Sequence, residues 1–241
     1  MPKWRTHRII LEKALGNFNL NLRKDFLDGL FNGIIDPDIK QDKKIIISKK
    51  RTYEKEITHH DVHNNLIRYY YELSLYYVRR NKWYFSGLML GRCLHYIHDS
   101  IIKRRKMLII DAHEEIENEL EKLSDMILEL CKEKIIKKSS SNPKEIICSA
   151  YYMSIDILRN FFEESSKDID INLLKEKIRK IRIIKLLILL GFSIMIFYSL
   201  VLILLWIIAF YLVIEYKPNV YHEAMKAGLI IVKPTGYKTA Y

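Results

Sequence analysis

Histidine and carboxylate pairs carry the clearest chemistry in this sequence. Seven of the eight histidines (His7, His59, His60, His63, His95, His98 and His113) fall in the first half of the 241 residues, and only His222 lies beyond. His95 and Asp99 are four residues apart, as are His113 and Glu117. On a helix that spacing sets imidazole and carboxylate side by side on one face. Such a pair offers two ligands to one metal ion, or forms an ordinary surface contact or hydrogen bond. His95 has apolar neighbours, Leu94 and Ile97, with Gly91 and Gly87 one and two turns before it. A glycine inside a helix costs about 1 kcal/mol relative to alanine, so the two predict close packing against that helix. A histidine and an aspartate in such packing need a partner, and a metal ion is one way to supply it.

The run Leu90-Gly91-Arg92-Cys93-Leu94-His95-Tyr96-Ile97-His98-Asp99 resembles the LG-x-x-LHY-x-x-D helix of the zinc-dependent phospholipase C family, whose all-helical fold is shared with zinc single-strand nucleases. Other features follow in that family's order. Trp4 and His7 match an N-terminal tryptophan and histidine, and Gly33 to Asp38 is similar to a loop ending in Pro-Asp. His59-His60 precedes a tyrosine-rich helix, and His113-x-x-x-Glu117 resembles the late His-x-x-x-Glu pair. The resemblance covers roughly residues 4 to 120. It implies up to three zinc ions in a cleft between helices. His60 or His59 with His95 and Asp99 would hold the first, His113 and Glu117 would contribute to the second, and Trp4, His7 and a bridging Asp99 would hold the third. The implied reaction is phosphodiester hydrolysis by metal-bound hydroxide attacking phosphorus, with Asp38 positioning or deprotonating the water. The substrate would be a phospholipid headgroup or another phosphodiester.

Three departures stand out. Arg105 occupies the position, six after Asp99, where the family carries a further histidine. The second site thus keeps two recognisable ligands, with His98 or His63 as possible substitutes. Trp4 follows Met-Pro-Lys, so it offers no free α-amino group unless the chain is trimmed. The family's secreted members are exported, whereas this chain reads as cytoplasmic. The alternative function is an inactive helical scaffold that binds metal and serves as a membrane-bound binding or structural protein; a nuclease is the third reading.

The elements that must position these residues read as all-α. Helices are predicted over Arg5 to Gly16, Leu22 to Asn32, Asn64 to Tyr77, Trp83 to Lys103, Asp111 to Lys134, Pro143 to Glu163 and from Asn172 onward. Asn142 reads as an N-cap with Pro143 in the first helical position, and Asn81-Lys82 as a turn. Residues 39 to 60 read as a long ordered loop, although KKIIISKK could form a short strand. Tyr69, Tyr70, Tyr71, Tyr76 and Tyr77 fit core packing with polar tips better than a base-stacking surface. The result is one α-helical domain over residues 1–180.

From Leu186 to Ile214 the sequence carries no charge. As a helix this run would reach roughly 43 Å, against a hydrocarbon core of about 30 Å. It predicts one tilted transmembrane helix at 186–214, followed by a short tail at 215–241. Two full spans would leave each arm too short, although Gly191 and Ser193 allow a kink or a re-entrant turn. Lys175, Lys177, Arg179, Lys180, Arg182 and Lys185 precede the run, which places the large domain in the cytoplasm and the tail outside. The N-terminus lacks the apolar core of a signal peptide. The formal net charge of +11 fits an anionic leaflet at least as well as nucleic acid, so the expected partners are membrane lipid and a phosphodiester. Three cysteines without pairing or metal-type spacing, Cys93, Cys131 and Cys148, suit a reducing compartment.

Overall fold

The computed structural model describes residues 4–47, 51–57, 64–103, 112–195, 207–208, 210–213 and 216–241. The chain is mostly helical and divides into two compact units, residues 1–167 with 233–241, and residues 168–232. This partition differs from the predicted one, because the last nine residues rejoin the first unit.

In the first unit, α1 (Trp4–Leu15), α2 (Lys24–Gly33), a short α3 (Asp36–Ile39), α4 (Asn64–Arg79), α5 (Trp83–Ile101), α6 (Ala112–Ser124), α7 (Ile127–Leu130) and α8 (Pro143–Ser166) surround one core. The buried side of α5 includes Leu90, Leu94 and Ile97. A four-glycine seam joins α2 to α5. A Cβ on Gly29 or Gly33 would overlap the carbonyls of Tyr84 or Leu88, and one on Gly87 or Gly91 those of Phe26 or Leu30. The close packing predicted from Gly87 and Gly91 is therefore backbone against backbone. Asn81 makes the turn between α4 and α5 at a φ of 57°, a left-handed conformation that asparagine tolerates. Asn142 caps α8 as predicted, its Oδ1 accepting from the amides of Lys144 (3.0 Å) and Glu145 (3.4 Å). At the other end of α8, Arg79 donates to the carbonyls of Glu164 (2.7 Å) and Lys167 (2.5 Å), covering acceptors that a helix leaves over.

Two expectations are corrected here. Part of the predicted loop at 39 to 60 is β1 (Lys43–Ile47) and β2 (Thr52–Glu56), and with β3 (Tyr237–Lys238) they form an antiparallel sheet ordered β2-β1-β3. The fold is helical with a small sheet, not purely α. The strands form because Lys43 to Ile47 finds partners on both edges, Thr52 to Glu56 on one and Tyr237-Lys238 on the other. Cys131 and Cys148 are joined in a disulfide, leaving Cys93 as a buried thiol. The cysteines therefore lend no weight to a reducing compartment.

In the second unit, α9 (Ile171–Met195) and α10 (Asn219–Lys226) share a small core of Leu174, Ile178, Ala224 and Ala227, with Ile169, Val220, Tyr221, Leu229 and Ile230 packed against it. Among the described residues no helix is long and apolar enough to cross a membrane. Residues 196–206, 209 and 214 of the predicted span lie outside them.

Candidate metal centre

Helix α1 brings His7 and helix α5 brings His95, His98 and Asp99 into one buried cluster, all four essentially without solvent exposure. The i, i+4 spacing places His95 Nε2 3.2 Å from Asp99 Oδ2. His98, one residue before Asp99, reaches across to α1 instead. The His7 ring stacks between its neighbours, with centroids 4.4 Å from His95 and 5.1 Å from His98. Metal-ligating atoms of His7, His95 and Asp99 all lie within 4.8 Å of one another, so the three could hold an ion.

The hydrogen-bond network assigns the tautomers. Ser154 on α8 donates its hydroxyl proton to the Ala150 carbonyl (2.8 Å) and so accepts from His98 Nε2 (2.7 Å). His98 Nδ1 is then an acceptor, and the proton in its 2.9 Å bond to His7 Nδ1 belongs to His7. That leaves a lone pair on His7 Nε2, which makes no hydrogen bond and faces Asp99 Oδ1 at 3.6 Å. On the other side His95 Nδ1 donates to the Ile34 carbonyl (2.8 Å), directing Nε2 toward both Asp99 and Asp38 Oδ1, the latter at 3.6 Å. Acceptors thus converge from three directions. A histidine oriented by a hydrogen bond on its other nitrogen is the usual arrangement at a metal, and two imidazoles with one carboxylate suit zinc or a comparable divalent ion.

Titration behaviour follows from the same geometry. Burial, reinforced by the His95 charge, holds His7 well below the ordinary histidine range and pushes His98 down to about 3. Burial also works against charge on His95, but the Asp99 charge and hydrogen bond, with Asp38 and the Ile34 carbonyl, outweigh it and raise its pKa. Without metal, the two carboxylates favour a proton on His95.

Asp38 lies on α3, whose position is set from a second buried cluster. Arg92 is fully buried on α5. It ion-pairs with Asp36 and Asp42 and donates to the Lys40 carbonyl (3.1 Å). Asp42 also accepts from Tyr70 and Tyr96 hydroxyls, at 2.7 and 2.6 Å, and from the Ala240 amide at 2.6 Å. Asp38 itself borders a cavity of about 230 Å³ with Trp4, Ile35 and Ile39.

Of the candidate ligands, His7, His95 and Asp99 come together with Asp38 beside them. Trp4 is 64 % exposed and borders the cavity. His59, His60, His63 and Arg105 lie outside the described residues; His113 and Glu117 are on α6, their side chains likewise outside. Sequence reasoning missed Ser154, which has no local signal, and Arg92, which has one. An arginine between Gly91 and Cys93 in an apolar helix must find buried counter-charges. Comparison with protein-family models, curated proteins and solved structures returns no match to this chain.

Proposed function

We propose that this chain is a metal-dependent phosphodiesterase of the kind its sequence resembles, held at a membrane by the apolar run 186–214. The observation that carries the reading is the buried set of His7, His95 and Asp99, with the His7 lone pair turned toward a carboxylate and Asp38 alongside. His7, His95 and Asp99 would hold the ion, zinc by resemblance. A bound divalent ion supplies an activated water and offsets charge on the phosphoryl oxygens. Asp38, on the cavity side of His95, takes up the proton released as water attacks phosphorus. Arg92 acts on Asp38 indirectly: it fixes Asp36 and the Lys40 carbonyl, the two ends of α3, and so positions the carboxylate between them. The exposed Trp4 and Ile39 give the cavity an apolar rim, which suits a phospholipid headgroup near a bilayer better than nucleic acid. The basic residues before the run favour the cytoplasmic face.

The inactive metal-binding scaffold is the second reading, favoured by Arg105 in place of a ligand histidine. Elemental analysis of the purified full chain, with a panel of phosphodiester substrates, separates the two. The enzyme reading expects zinc that is lost in His95→Ala and Asp99→Ala, and turnover lost in Asp38→Asn with the metal retained. Bound zinc without turnover on any substrate favours the scaffold, and less than one equivalent of metal sinks both.

A further inference from the structure

The geometry points to a same-side anchor: the residues before and after the apolar run 186–214 lie on one face of the anionic bilayer that the run enters. The inference rests on the membrane reading above but not on the chemistry.

The two ends of the run meet. Lys185, the last charge before it, donates from Nζ to the Tyr216 carbonyl at 2.6 Å, and its ammonium lies 5.8 Å from the Tyr216 ring centroid and 5.4 Å from that of Tyr221. A single crossing would hold its ends about 30 Å apart. The flanking segments meet as well, since Leu174 and Ile178 on one side of the run share a core with Ala224 and Ala227 on the other.

The chain beyond also returns. Residues 233–241 belong to the first unit: β3 pairs with β1, and the Ala240 amide and the Tyr241 main-chain oxygen bond to Asp42 and Tyr69. A folded unit containing both the N-terminal helices and these last residues occupies one side of a bilayer. The tail therefore does not end on the far side of a single span.

Length and charge select the bilayer as the occupant. The 29 residues from Leu186 to Ile214 carry no charge, a length of apolar chain sufficient to enter a hydrocarbon core of about 30 Å. Near its described ends, Leu186, Leu187, Leu190, Ile208, Tyr211 and Leu212 are all exposed, an apolar surface of a kind that water does not favour. Arg179, Lys180, Arg182 and Lys185 precede it on α9 and Lys217 follows it. Such a collar complements anionic headgroups, and Tyr216 and Tyr221 suit the interface.

The test is the full chain, tagged at both ends, expressed in cells and recovered in sealed vesicles of both orientations. Protease should remove both tags in one orientation and neither in the other. Removal of one tag with protection of its partner would overturn the same-side placement while leaving the membrane reading in place. Release of the chain by an alkaline carbonate wash would overturn both.

Discussion

Helix α5 carries two buried polar clusters whose chemistry differs in one respect. Around Arg92, opposite charges meet: the terminal guanidinium nitrogens reach two carboxylates and a carbonyl, with only Nε left without a partner, and Asp42 takes two tyrosine hydroxyls and an amide besides. Around His95, groups able to ligate a cation meet: the His7 lone pair faces Asp99, and the Asp99 and Asp38 carboxylates both face His95 Nε2. Both clusters are buried and both bear on α3. The first cluster pairs opposite charges and stabilises the fold; the second gathers ligands that could hold a cation.

Removing the arginine should give the largest effect. Arg92→Met leaves Asp36 and Asp42 without their shared counter-charge, and a broken buried pair costs about 3–5 kcal/mol. Urea unfolding should show that loss, and a change within error would erase the contrast between the clusters. Next comes His98→Gln, which disturbs the relay that fixes the His7 tautomer. Zinc affinity should fall about 10- to 100-fold, read by competition with a chelator, with the metal-free fold retained. Equal affinity would show that the Ser154–His98–His7 chain does not orient the ligand.

The pH response has a definite sign. His7 and His98 have folded pKa values below the ordinary 6.5, so their neutral forms suit the fold. Their contribution is intact above about pH 6.5 and is lost as pH falls toward the folded values. Each group contributes a slope of about 1.4 kcal/mol per pH unit in that window. His95 has the opposite shift, and its contribution, present below about pH 6.5, is lost as pH rises through its raised value. Denaturant midpoints of the metal-free chain should therefore drop steeply from pH 6.5 to 5, and a flat profile would contradict the neutral assignments. The smallest effect is expected for Asp99→Asn without metal, which removes a buried charge and keeps the side chain's shape. Its stability should change by less than about 1 kcal/mol, although it removes a ligand. A loss as large as that of Arg92→Met would make the His95 cluster structural too.

What could be read from the sequence was local. The spacing of His95 and Asp99, the Asn142-Pro143 helix start and the close approach at Gly87 and Gly91 each depend on residues within a few turns, and each appears in the fold. The rest depends on distant partners. Lys43 to Ile47 is a strand because Thr52 to Glu56 and Tyr237-Lys238 flank it, and lysines beside isoleucines give no reliable alternation. Cys131 and Cys148 meet because α8 packs near the end of α7. Arg92 draws its counter-charges from Asp36 and Asp42, more than 45 residues upstream, and Ser154 aligns His98 from another helix. Burial brings these groups together, and no period in the sequence marks it.

The pairing of β3 with β1 also fixes an order of events during synthesis. Lys43 emerges from the ribosome 195 residues before Lys238, its partner in the sheet; at about 5–20 residues per second the wait is on the order of 10–40 s. Throughout that interval one edge of β1 is unpaired, an opening that Lys43 and Lys44 help protect against other strands. Asp42 likewise waits for the amide of Ala240. The apolar run 186–214 leaves the ribosome before β3 does, so it is exposed to its surroundings before the first unit can close.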